Sequence, residues 1–151
     1  MSRTFEERAS AGLDALYQGA LFLSGGHPDE AEELLVAAVS RAFRERQAGA
    51  GAEPFERHLE GTLAVVALQA GGRSVTGAHA REGVHPLHAA AATMPMRARA
   101  ALWLVLLRRW SYADAALEIG VERDRLRDLL AWRERLARAL EPTAAEARRE
   151  A

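Results

Sequence analysis

Apolar side chains recur along this chain at i, i+3, i+4 and i+7, the spacing that places them on one face of an α-helix. No segment alternates convincingly at the strand period, so the fold class predicted is all-α. A run from about Phe5 to Ser24 carries Leu13, Leu16, Tyr17, Ala20, Leu21 and Leu23 along one stripe. Ser24-Gly25-Gly26-His27 breaks it, and Pro28 suits the first position of a second helix reaching about Gln47. That helix opens on Asp29, Glu30, Glu32 and Glu33 and closes on Arg41, Arg44 and Arg46, a polarity that suits the helix dipole. Its expected buried side is Leu34, Leu35, Ala38, Val39, Ala42 and Phe43. A third, more apolar helix is expected from about Pro54 to Gln69, with Leu59, Leu63, Val65, Val66 and Leu68.

Residues 71–85 hold four of the twelve glycines and no helical stripe, which predicts a flexible linker. Beyond it, helices are expected from Pro86 to about Thr93 and from Met96 to about Arg109, followed by a pair read as a helix-turn-helix. Ser111 is a good N-cap, with Asp114 near the positive end of the helix it starts. Tyr112, Ala115, Ala116 and Ile119 share one face, Gly120 supplies a left-handed stop, and Val121 plugs the corner. A second helix then carries Leu126, Leu129, Leu130, Leu136, Ala137 and Leu140 on its buried side. A plain αα-hairpin shares part of this pattern. The organisation expected is two small helical bundles, 1–70 and 86–141, joined by the 71–85 linker and followed by a tail, 142–151.

The net charge of −1 conceals an asymmetry. Residues 1–50 hold five Arg against eight Asp and Glu, residues 51–85 three against four, and residues 86–151 twelve against nine. An acidic front and a mildly basic back suggest different partners for the two halves, although dedicated nonspecific nucleic-acid binders carry a denser positive patch. Lys and Asn do not occur, and the arginine and alanine bias looks like that of a GC-rich coding sequence. Cysteine is absent, no stretch approaches the length that spans a bilayer, and the opening residues lack the basic-then-apolar order of a secretory signal. A cytoplasmic location is the expectation.

With about 100° per residue from Leu126, the face opposite the expected core holds Asp124, Arg127, Asp128, Ala131, Arg135 and Arg138, with Arg125 at its edge. His79, His85 and His88 cluster with Glu82, which reads either as solvated linker histidines or as a metal site, with Pro86 interrupting the helical spacing. Trp103 and Trp110 sit among leucines and read as core, whereas Trp132 is open between an inter-helix contact and a partner-binding anchor. No phosphate-cradling glycine loop, nucleophile–base pair or His-Glu metal pattern occurs, so neither catalysis nor a cofactor is expected.

Two segments, in this order, resemble the extracytoplasmic-function group of bacterial RNA polymerase sigma factors. Leu21 to Phe43, with Ala31-Glu32-Glu33-Leu34-Leu35 near its centre, resembles the family segment built around Ala-Glu-Asp-Leu-Val-Gln-Glu. Ala92 to Leu107, with Met94-Pro95 followed by Arg99, resembles Leu-Pro-x-x-x-Arg at the start of the promoter-reading domain. Arg109-Trp-Ser-Tyr-Ala-Asp-Ala-Ala-Leu-Glu-Ile-Gly-Val121 resembles Leu-Ser-Tyr-x-Glu-Ile-Ala-x-x-Leu-Gly-Val. The resemblance implies a front domain that binds core RNA polymerase through Glu32, Glu33, Leu35 and Val39. It implies a back domain that reads double-stranded promoter DNA through Arg123, Arg125, Arg127, Arg135 and Arg138, and an anti-sigma factor as a further partner.

The chain also departs from that pattern. Val36 and Ala37 replace polar residues of the core-binding segment, and Leu59 to Arg73 lacks nearly all of the residues that grip melted DNA, leaving Arg57, His58 and Arg73. Asp128 replaces a Ser, and Leu129 stands where the family has Arg. These departures define an alternative: a degenerate sigma mimic that binds an anti-sigma factor or another sigma domain without reading a promoter.

Overall fold

The computed structural model describes residues 5–71 and 84–141, and within them all regular structure is helical. Residues 72–83, most of the expected linker with His79 and Glu82, and the expected 142–151 tail lie outside the described residues. Helix α1 spans Phe5–Leu23, α2 Pro28–Gln47 and α3 Phe55–Ala70. The second half contributes α4, Pro86–Ala92, and α5, Met96–Leu102, which continues as a π-turn over Trp103–Leu107. Helices α6, Tyr112–Ile119, α7, Arg123–Leu130, and α8, Arg133–Leu140, complete the chain. No described helix is long and apolar enough to cross a membrane.

Local chemistry sets these boundaries. Pro28 opens α2, with Asp29 and Glu30 in its first turn and Arg44 and Arg46 in its last, each near the dipole end that favours its charge. Arg46 then donates to the carbonyls of Gly51 and Glu53, pinning the turn into α3. The His85 ring accepts from the Leu87 amide at 3.1 Å and caps α4. At the α6–α7 corner the Ser111 hydroxyl accepts from the Asp114 amide at 3.1 Å, and Gly120 takes φ 69°, ψ 37°. That left-handed conformation carries a steric penalty for any residue with a Cβ.

One continuous apolar core unites the helices of both halves, with Phe22, Leu23, Leu63, Leu102, Leu104 and Leu126 fully enclosed. Alanines at facing positions, among them Ala20, Ala38, Ala64, Ala100 and Ala115, let helix backbones approach closely. At Gly19 the edge of the Trp103 indole packs against the α1 backbone and leaves no room for a Cβ.

The expected continuous last helix is broken at Ala131–Trp132. Three-residue hydrogen bonds from the amides of Trp132, Glu134 and Arg135 tighten the chain there, so α7 packs on α5 while α8 turns onto α4. Leu136 stays buried, whereas Ala137 and Leu140 face solvent instead of the core. Leu13, Tyr112 and Phe43 are likewise exposed, although the Phe43 ring still meets Phe55 at 5.0 Å.

Candidate nucleic-acid interface

The helix-turn-helix rests on α5. Leu126, Leu129 and Leu130 bury one face of α7, and Ala115 and Ala116 bury the facing side of α6. With that face fixed, the 100° step of an α-helix puts Asp124 and Asp128 on the outward crest of α7. Arg123 and Arg127 flank the crest on one side and Arg125 on the other, and all five side chains are exposed. Arg123, Arg125 and Arg127 have no carboxylate, hydrogen-bond or aromatic partner among the described residues.

The sequence-derived arginines therefore do not converge on one surface. Arg125 turns into a cleft beside α3 and α5. Arg135 and Arg138, both exposed, line an adjoining shallow depression that shares Asp128 and Trp132 with this cleft and adds Glu134. Arg135 also donates to the Thr93 hydroxyl at 3.2 Å and lies 4.7 Å over the ring of Trp132, which is half-buried against the core. From Glu122 to Glu141 six arginines face five carboxylates, a surface of mixed sign with little net positive field.

On α2, Glu32 and Glu33 are exposed, whereas Leu35 and Val39 are half-buried and pack on the core. Val36, 61% exposed, and Phe43, 54% exposed, are large apolar residues that α2 presents outward. Their seven-residue spacing puts them on one helix face, a signal already present in the sequence.

The residues of α3 with nucleic-acid chemistry have other partners. Arg57 pairs with Asp114 of α6 at 2.9 Å and stacks 4.3 Å over the Trp110 ring. His58 lies between Glu53, at 2.9 Å, and Glu45, at 3.2 Å. Trp103 and Trp110 are buried. Their indole N–H groups donate to Glu60, the first to its carbonyl and the second to its carboxylate, each at 3.4 Å. Glu60 also pairs with Arg108 at 3.1 Å. A buried carboxylate held by an arginine and an indole is a structural tie between α3 and the segment that follows α5.

The motif arginine of the Met-Pro-x-x-x-Arg segment has a structural role that the sequence reading did not assign. Arg99 is 5% exposed and donates to the carbonyls of Leu23, Ala92 and Met94 at 2.9 to 3.1 Å. Leu23 and Ala92 end α1 and α4, whose last carbonyls lack helical partners, and Met94 lies in the turn before α5. Burial lowers its pKa from the ordinary arginine value, while Glu30 acts in the opposite direction. His88 is buried beside His85, with ring centroids 5.5 Å apart, and burial followed by the His85 charge pushes its pKa down. No group of three metal-ligating side chains converges among the described residues.

Comparison with family models, curated proteins and solved structures finds no match to this chain.

Proposed function

We propose that the chain acts in bacterial transcription initiation as a protein similar to extracytoplasmic-function sigma factors. In this reading α2 docks on core RNA polymerase through Glu32 and Glu33, with Val36 and Phe43 as its apolar contacts, and α7 approaches the major groove of an upstream promoter element. The observation that carries it is the Ser111-capped, Gly120-turned corner, after which Arg123, Arg125 and Arg127 of the second helix are exposed and have no partner among the described residues. Unpaired guanidiniums on an exposed helix are what phosphate and guanine contacts require.

A second reading is a sigma mimic that acts by protein contact alone. Two observations favour it: Asp124 and Asp128 occupy the crest of α7, and Arg57 and His58 are already committed to carboxylates. The test is gel filtration of the purified chain with bacterial core polymerase at low salt, followed by transcription from a library of genomic fragments. Co-elution with start-site-specific transcripts supports the first reading. Co-elution without transcripts supports the second, and no co-elution removes the first.

A further inference from the structure

A cleft of about 530 Å³ opens where the end of α3, the start of α5 and the inner flank of α7 meet. That volume lies within the range of small-molecule sites, roughly 300 to 1,000 Å³. Leu68, Met96, Ile119 and Leu129 give it an apolar wall, and the Trp132 indole adds an aromatic edge. Arg97 and Arg125 also line it, and neither has a hydrogen-bond, ion-pair or aromatic partner among the described residues. Two unspent guanidiniums beside an apolar wall are complementary to one chemical class, an organic anion with a hydrocarbon or aromatic body.

We infer that this cleft binds a small organic acid, its carboxylate held by Arg97 and Arg125 and its apolar body lying on Met96, Ile119 and Leu129. Asp128 stands on the same rim and opposes an anion, so it sets an upper limit on affinity. The site stands independently of any role in transcription. Only its consequence rests on the sigma-like reading: a carboxylate on Arg125 withdraws that residue from DNA.

The test is calorimetric titration of the full chain, without DNA, using octanoate and 2-naphthoate against the uncharged 1-octanol and 2-naphthalenemethanol. Methyl NMR shifts of Met96 and Ile119 report the location. The acids bind about tenfold tighter than the alcohols, the factor expected of a charge-assisted hydrogen bond. Arg97→Ala and Arg125→Ala each remove most of that preference, and Asp128→Asn strengthens acid binding. All three side chains are exposed, so these variants are expected to retain the fold, which circular dichroism checks. No binding at millimolar concentration, equal affinity for acid and alcohol, or preserved acid preference in both arginine variants overturns the inference. DNA affinity measured with saturating octanoate reports on the regulatory consequence alone.

Discussion

Arginine serves opposite purposes at the seam between the two halves of the chain and on the exposed surface of α7. At the seam Arg99 is buried, with three carbonyl acceptors, while Arg108 neutralises Glu60 and Arg57 binds Asp114 across the ring of Trp110. On α7, Arg123, Arg125 and Arg127 are exposed, with no partner among the described residues. Residue type therefore says little about an arginine's work in this chain. Burial and the acceptors around the guanidinium divide those that hold the fold from those available to bind.

The largest effect expected from breaking this contrast is at Arg99. Arg99→Met leaves three carbonyls without their donor and lowers stability by about 3 kcal/mol, read by urea unfolding. Arg127→Ala in the same experiment stays within about 0.5 kcal/mol of the parent chain. Equal costs at the two sites would erase the distinction between seam and face. Next in size is Gly19→Ala, which forces a methyl against the Trp103 indole and costs about 2 kcal/mol. Pairing it with Trp103→Leu recovers part of that loss if the clash is the cause.

The seam also carries a pH dependence. His88 has its pKa lowered by burial and by His85, so the unfolded chain takes up a proton near the ordinary value of about 6.5 while the folded chain resists. Stability is full above that value and is lost as the pH falls through it toward the lowered folded value. Melting temperatures from pH 7.5 to 5 should trace this fall, and His88→Gln should flatten the part that His88 causes. An unchanged slope in that variant would assign the acid sensitivity elsewhere. The smallest effect is at Arg109, a non-glycine residue at φ 59°. Arg109→Gly relieves the left-handed strain and gains about 0.5 kcal/mol net of glycine's greater unfolded-state freedom, measurable by thermal melting.

Much of the architecture was legible because it depends on local chemistry. The apolar periodicities located the helices, Pro28 and its acidic neighbours marked the start of α2, and Ser111 and Gly120 marked the ends of α6. The jobs of Arg99 and Glu60 were not legible. The chain is buried from Ala98 in α5 through Leu104 in the π-turn, so an arginine there lies on no polar stripe that would distinguish it from the exposed Arg97. The break at Ala131–Trp132 carries neither proline nor glycine and is set by the packing of α8 on α4. The arginines of α7 were placed outward by the helical period alone. Their separation onto two sides of an acidic crest, with Arg125 facing a cleft, follows from how α7 packs against α5.

The most direct test is the salt dependence of DNA binding by the full chain bound to core polymerase. It uses duplexes selected from a genomic library and compares the parent with an Arg123→Ala, Arg125→Ala, Arg127→Ala triple variant. If α7 meets the phosphate backbone, affinity falls linearly with salt on logarithmic axes, and the triple variant loses close to one unit of slope for each phosphate contact removed. Identical slopes and affinities for the two chains would contradict a DNA-reading α7 and leave this helix-turn-helix as a protein-binding scaffold.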